Sequence, residues 1–482
     1  MVEVRFHDLL TIQFKPKPEN YMQATVSAIL DHIHSRRDEY LAGFYELLRF
    51  RSISTDPACR LELNQCAQWI ADAASRIGLK NARLIPTGGQ PVVYAEWLEA
   101  GTNQPTVLFY AHYDVQPPDP LELWEHDPFD PILRDDKLYA RGVADNKSGV
   151  YVTLKAFEAY LSVEGKLPIN VKVLFEGEEE SGSPSMERFL LENKELLKAD
   201  YMVVNDGTNA PGQPIVPAGV RGIISGEVKI RGPLRDLHSG SYGGWVQNPA
   251  HVLGQIIASF HEASGRVAIS GFYDGVEPLT PDEQELLRIA VENQAFIGEL
   301  MEESGVTTPW AGEVAPLGER MWALPCLDIN GITAGYQGIG TKTIIPAEAS
   351  FKFSARLAPG QDPDHIERVF ADHVLRFESA YIKISISFET NARGVKSIPK
   401  GRAADAINRA FTESWGREPL IYPEGGSVPL LGIFDRDFKM PILSMAYVTG
   451  GSAHSPNEYI HVDTLLRGLR CAVLFLSYMK NL

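Results

Sequence analysis

Five acidic or imidazole side chains stand where strand-like apolar runs end, and together they are equipped to hold metal ions. "VLFYAHYDVQP" (107–117) passes from apolar residues into His112 and, two positions on, Asp114. "LYARGVADNKSG" places Asp145 in a loop just before a helix-like stretch. "NVKVLFEGEEESGS" closes on Glu178, Glu179 and Glu180, and "DYMVVNDG" ends at Asp206. Far downstream, "PILSMAYVTGGSAHSPNEYI" carries His454 beyond a further run. Each alone has a plain structural explanation: a satisfied core histidine, a solvated acidic loop, a helix N-cap at Asp145, a turn former at Asp206. Five at five strand ends form a pattern, because an open parallel sheet gathers its ligands beyond the carboxyl ends of its strands. Carboxylates crowded there repel, and some take up protons. Two divalent cations relieve that: Asp145, Glu180 and Asp206 with neutral His112 and His454 leave a net charge of about +1 beside two such ions. Nitrogen and oxygen ligands without thiolate suit Zn²⁺ first, with Mn²⁺ or Co²⁺ as alternatives.

The elements that must position these residues are legible as a pattern of runs. Apolar spacing over 21–52 and "LNQCAQWIADAASRIG" (63–78) predict helices, the second stopped at Gly78. "PVVYAEW", "PTVLFYAH", "NVKVLFEG", "DYMVVND" and "PILSMAYV" predict buried strands alternating with helices such as 145–161. That predicts an α/β domain with a mostly parallel sheet and helices on both faces. From about residue 213 the texture becomes α+β, with period-two strands at "AGVRGIISGEVKIRGP" and "ASFKFSARLAP", a helix near 248–263 and a Pro- and Glu-rich stretch at 277–320. A helix at "AADAINRAFTESWG" returns to the first texture. Residues 213–395 therefore form a domain inserted between the catalytic parts 1–212 and 396–482.

The chain has 482 residues, enough for two cores, with 44% hydrophobic and 22% charged residues. Its formal charge of −17 argues against nucleic acid or an anionic membrane as partner. Cys59, Cys66, Cys326 and Cys471 form no C-x-x-C pair, so a disulfide scaffold or a cysteine zinc site is not expected. The N-terminal "MVEVRFHDLLTIQFKPKPEN" lacks the apolar core of a signal peptide, and no run is long enough to span a bilayer. The expected location is the cytoplasm.

From about residue 40 to the C-terminus the chain resembles the M20 metallopeptidases, most closely the branch of carnosinases and Cys-Gly dipeptidases. "AHYDVQP", "GVADNKSG", "EGEEESGS", "DLHSGSYGG", "TKTIIP", "ARLAP", "EGGSVP" and "SAHSPNE" stand in that family's order. The resemblance implies a zinc-exopeptidase-like catalytic domain and makes the inserted domain a lid and dimerisation unit. It makes Asp145 a carboxylate bridging two metals, with His112 and Asp206 completing one and Glu180 and His454 the other. It makes Glu179 the general base toward metal-bound hydroxide, Asp114 the carboxylate that orients His112, and the Asp145–Asn146 peptide cis. It brings His238 to the partner subunit's site in a homodimer to hold the oxyanion. It places Thr343, Arg356, Glu424 and Ser427 around the substrate, Arg356 on its carboxylate. His126, His251, His261, His365, His373 and His461 match no motif and are read as structural.

The function so implied is hydrolysis of dipeptides or short peptides. The alternative is an N-acyl-amino-acid amidohydrolase of the acetylornithine or succinyl-diaminopimelate deacylase type. In the family, Asp at the position of Asp206 goes with dipeptidases and aminopeptidases. An inactive metal- or peptide-binding member is the rival from another class, and the intact Glu179 argues against it.

Overall fold

The computed structural model describes residues 18–310 and 315–480. The stretch read as lacking a signal peptide lies, up to residue 17, outside them. The apolar runs become the middle of a six-stranded sheet. Thr106–His112 lies parallel between Asn170–Glu176 and Tyr201–Val204, and Ile442–Ser444 adds parallel beside the latter. Val92–Trp97 and Lys80–Ile85 extend the other side antiparallel. The sheet is thus mostly parallel, as the apolar runs predict, with "PVVYAEW" and its neighbour antiparallel at one edge.

The runs are apolar throughout because both faces of the sheet are covered. Val107, Phe109 and Ala111 point into a core shared with the helices Arg60–Arg76, Lys147–Glu164, Gly401–Trp415 and Val462–Met479. Leu108 and Tyr110, one residue out of phase, point into a second core with Phe189, Leu190, Leu430 and Phe434. The spacing over 21–52 resolves into two helices, Pro18–Ser35 and Arg37–Leu48.

The middle of the chain builds a second, antiparallel sheet in the order Cys326–Ala334, Glu348–Leu357, Gly222–Arg231, Lys383–Ala392. Its strands alternate because only one face is dry. Ile224, Val228 and Ile230 pack with Val252, Ile256, Ile366 and Phe370 from the helices Pro249–Ala258 and Pro363–Leu375. A three-stranded sheet joins the units: Ile215–Val220 pairs with Val395–Lys396 on one side and Leu420–Glu424 on the other. The Pro- and Glu-rich stretch is not featureless. It forms the helices Pro281–Glu292 and Gln294–Ser304, whose Leu287 and Phe296 pack against Leu420 and Tyr422. Its signal was in the sequence, since Thr280, Pro281 and Glu283 make a capping box with proline at the first turn. Where the two connections between units run side by side, a Cβ on Gly222 would lie 2.6 Å from the Ala392 carbonyl oxygen. Only glycine allows that approach.

Candidate metal centre and active site

Three adjacent parallel strands deliver their carboxyl ends to one rim. His112 is the last residue of its strand and pairs in register with Glu176 at the end of the neighbouring one. Glu179–Ser181 forms a short 3-10 turn just beyond Glu176, and Asp206 follows Tyr201–Val204 by two residues. Asp145 precedes the helix Lys147–Glu164, and the Asp145–Asn146 peptide is cis. His454 comes from a loop in which Ser452, His454 and Asn457 all have positive φ. The Asn457 side chain pins that loop, accepting from the Glu125 N–H at 3.0 Å and donating to the Leu123 carbonyl at 2.9 Å.

Asp145 is the centre of the arrangement. Its Oδ1 lies 3.0 Å from His112 Nε2 and its Oδ2 lies 2.9 Å from His454 Nε2. Asp206 Oδ1 is 3.9 Å from His112 Nε2, and Glu180 Oε2 is 3.3 Å from His454 Nε2. His112, Asp145 and Glu180 offer ligand atoms within 4.8 Å of one another. The two imidazoles differ in access, with His112 1% exposed and His454 54%.

His112 Nδ1 lies 3.1 Å from the main-chain carbonyl of Asp114, which can only accept, so Nδ1 carries a proton. Nε2 then faces two carboxylates, and something positive must lie between: a second proton or a cation. Burial alone would push the His112 pKa down, yet the contacts to Asp114 and Asp145 carry it well above the ordinary value. Hydrogen bonds to Asp145 and Glu180 push His454 up to about 10. Burial raises Asp145, but its bonds to His112 and His454 override that and hold it below the usual carboxylate range. The remaining acids go the other way. Burial, opposed by His112, lifts Asp206 to about 6. Glu424 rises to about 7 through burial with Asp206 and Asp145 nearby. Glu179 rises well above the carboxylate range for the same first reason, with His112 opposing and Asp206 and Glu180 adding. Left to themselves, these side chains hold protons on the groups that would need to be ionised. Divalent cations among these nitrogen and oxygen donors fit the arrangement, because they replace those protons and let the carboxylates ionise together.

The Asp114 carboxylate faces two partners. Its Oδ1 is 3.4 Å from His112 Nδ1, beside its own main-chain carbonyl at 3.1 Å. Its oxygens also accept the backbone N–H groups of Glu179 at 3.2 Å and Glu180 at 3.0 Å. Fully buried, it clamps the glutamate turn against the histidine loop. Three neighbours escaped the sequence reading although they lie inside or beside the quoted motifs. Gln116 donates to Glu180 Oε2 at 2.8 Å. Arg141 and Glu458 form a buried ion pair whose Glu458 accepts the Asp145 N–H. Each stands four residues from a ligand candidate, a spacing that marks it as a neighbour but not what it touches.

The substrate candidates divide. Glu424 is near enough to Asp206 and Asp145 to feel their charge. Arg356 donates to Ser427 Oγ at 2.7 Å, and Ser427 donates to the Gly222 carbonyl at 3.1 Å. His238 stands apart on a two-stranded ribbon, Leu237–His238 with Ile344–Ile345. It is exposed, its Nδ1 accepts from the Gly240 N–H at 3.1 Å, and the adjoining Ser239 N–H donates to the Thr343 carbonyl. Among the described residues, no hydrogen bond or ion pair ties His238 to the carboxylate cluster. Of the histidines read as structural, His461 pairs with Asp136, His365 with Asp274, and His373 with Ser259 and Arg376.

Comparison with known proteins places the chain in a family. The chain is 28% identical to the Cys-Gly metallodipeptidase dug1 of Schizosaccharomyces pombe over 96% of its own length and 99% of that protein's. Among solved structures, an M20 family metallo-carboxypeptidase, Sso-CP2 from Sulfolobus solfataricus, superposes with a TM-score of 0.83 at 32% identity, covering 92% of this chain and 100% of that one. Human carnosine dipeptidase 1 superposes with a TM-score of 0.80 at 27% identity, covering 95% and 100%. A profile for "Peptidase family M20/M25/M40" matches residues 108–478. Since that span takes in His112, Asp145, Glu180, Asp206 and His454 alike, the chain belongs to peptidase family M20/M25/M40.

Proposed function

We propose that this protein hydrolyses the peptide bond of dipeptides or very short peptides with two divalent cations. The observation that carries the reading is Asp145, whose two oxygens each face a separate imidazole at 3.0 and 2.9 Å. His112 and Asp206 would hold one ion, Glu180 and His454 the other, and Asp145 both. Zinc comes first, with manganese or cobalt as alternatives. When bound, the ions acidify water and polarise the scissile carbonyl. Glu179 takes the proton from the attacking water and delivers it to the departing amine. Asp114 keeps Glu179 in reach by holding its backbone N–H. Arg356, steadied by Ser427, receives the substrate's terminal carboxylate. Glu424 and Thr343 complete the substrate pocket.

The reading includes a homodimer through the second unit, in which His238 of the partner subunit steadies the oxyanion, and a cytoplasmic location. What supports the location is four free cysteines and the absence, among the described residues, of a helix long and apolar enough to cross a membrane. The resemblance to dug1 and to carnosine dipeptidase 1 supports dipeptides as substrates. The 32% identity to a metallo-carboxypeptidase favours a second reading, removal of C-terminal residues from longer peptides.

The test is to strip the protein with a chelator, restore Zn²⁺, Mn²⁺ or Co²⁺ singly, and measure turnover of a dipeptide panel. Longer peptides and N-acetyl and N-succinyl amino acids are run alongside. Dipeptide hydrolysis that vanishes on chelation and returns with metal is expected. Activity indifferent to chelation would sink the metal reading. Faster turnover of N-acyl amino acids would replace the peptidase with a deacylase.

A further inference from the structure

Arg141 and Glu458 form an ion pair at 2.8 Å with side chains 1% and 0% exposed. A buried pair is poor evidence for stability, because desolvating two charges offsets most of their attraction. Its surroundings suggest another reason for it. Glu458 Oε2 accepts from Arg141 Nη1 and from the Gly142 N–H, both at 2.8 Å. Its Oε1 accepts from the Ala144 N–H at 2.8 Å and the Asp145 N–H at 3.0 Å. The other end of the guanidinium, Nη2, donates to the carbonyls of Pro117 and Ser455, each at 3.3 Å. Pro117 lies in the loop that follows His112, and Ser455 is the residue after His454. One buried pair therefore touches all three loops that carry His112, Asp145 and His454.

We propose that Arg141 and Glu458 are positioning residues: together they fix these three loops in register so that each oxygen of Asp145 faces its own imidazole. The proposal rests on the reading of those side chains as metal ligands. The chemistry of the pair is specific. All four contacts to Glu458 are donors, so only an ionised carboxylate satisfies them. A glutamine there must turn its NH₂ toward two N–H donors and release one side of the 141–145 loop. Arg141 reaches its three acceptors from two separate nitrogens, Nη1 toward Glu458 and Nη2 toward the Pro117 and Ser455 carbonyls, a span that the single nitrogen of a lysine does not reproduce.

A pair that merely stabilised the fold would change the melting temperature and leave metal binding alone. The test uses the full chain, stripped of ions, as wild type, Glu458→Gln and Arg141→Lys. Co²⁺ binding is followed by visible absorption, Zn²⁺ binding by calorimetry, and ion-free thermal unfolding by circular dichroism. Outer partners of metal ligands are worth about 10–100-fold in affinity. The variants should therefore bind Co²⁺ and Zn²⁺ about 10–100-fold more weakly, with an altered Co²⁺ spectrum and dipeptide turnover that returns at raised Co²⁺. Folded variants that take up two Co²⁺ with the wild-type affinity and spectrum overturn the proposal, whatever their melting temperatures. If Glu458→Gln fails to fold, Arg141→Lys decides on the same criteria. Wild-type protein that binds no Co²⁺ would fail the metal reading itself and this proposal with it. Two ions in the wild type with unaffected variants would fail the proposal alone.

Discussion

The rim of the large sheet and the ribbon of the second unit both carry candidate residues, but they hold them differently. At the rim, His112 and Asp114 are buried, Glu180 is bonded by Gln116, and Asp145 is fixed through its own backbone. On the ribbon, His238 and Thr343 are exposed, and the His238 ring meets a single backbone N–H two residues away. Groups that bind ions must be arranged before the ion arrives, or binding has to supply the ordering energy. If His238 serves another subunit's site, as proposed above, the partners that fix it lie on that subunit and not in its own chain.

The sharpest break of this comparison falls on the rim. Glu179→Gln keeps the shape and removes the proton acceptor, so kcat should fall by about 10²–10⁴-fold or more, with metal content by elemental analysis unchanged. Glu180→Gln should lose metal instead. A normal rate in Glu179→Gln would move the base to another residue of the turn. Next comes the ribbon: His238→Ala should lose about 10²–10³ in kcat with metal retained. If His238 acts across the dimer, mixing that protein with Glu179→Gln and letting subunits exchange makes about half the dimers mixed, each with one intact site. About a quarter of all sites should then recover. Exchange verified by a tag with no gain in activity would rule out the trans role.

A smaller effect is expected where the two regions meet. Arg356→Ala should raise KM for a dipeptide by about 10–100-fold, the worth of a hydrogen-bonded charge, and amidating the substrate's C-terminus should do the same to wild type. Equal KM for the dipeptide and its amide would free Arg356 of this role. A last effect, on stability and not on rate, tests how dry the floor of the rim is. Burial lifts Glu176 to about 8 from an ordinary 4.5, and the Tyr110 hydroxyl donates to it at 2.7 Å. Between those pH values the unfolded chain releases a proton that the fold keeps. This contribution to stability is full at low pH, declines by at most about 1.4 kcal/mol per pH unit, and is gone once Glu176 ionises in the fold. Glu176→Gln should therefore lose less stability than wild type between about pH 5 and pH 8, read by denaturant midpoints. Equal losses would mean that Glu176 is already charged in the fold.

Much of this was legible because burial on both faces writes itself as unbroken apolar runs. Those runs end where the sheet ends, so His112, Glu180 and Asp206 could be placed on one rim from the sequence. Arg141, Gln116 and Glu458 could not. Their roles depend on which backbone atoms face them across up to 317 residues of chain, and no local pattern carries that. The second task of the Asp114 carboxylate was hidden for the same reason, since the N–H groups of Glu179 and Glu180 that it holds have no side-chain signature. The helices Pro281–Glu292 and Gln294–Ser304 were passed over for a different reason, as the charge and proline content of the stretch outweighed a capping box that was present.

The outermost strands of the two large sheets differ in how open they are to pairing. Lys80–Ile85 carries Lys80 and Arg83, an irregular register between them and a left-handed Asn81, each of which discourages another strand from docking. At the opposite border, Ile442–Ser444 offers three residues, too few for much of a ladder. The antiparallel sheet is bordered by Cys326–Ala334 and Lys383–Ala392, nine and ten residues long, each paired, among the described residues, along one side only. Of these two large sheets, the longer open edges thus belong to the antiparallel one. Strand addition at those edges would lengthen the antiparallel sheet and leave the register of Thr106–His112 with its neighbours undisturbed.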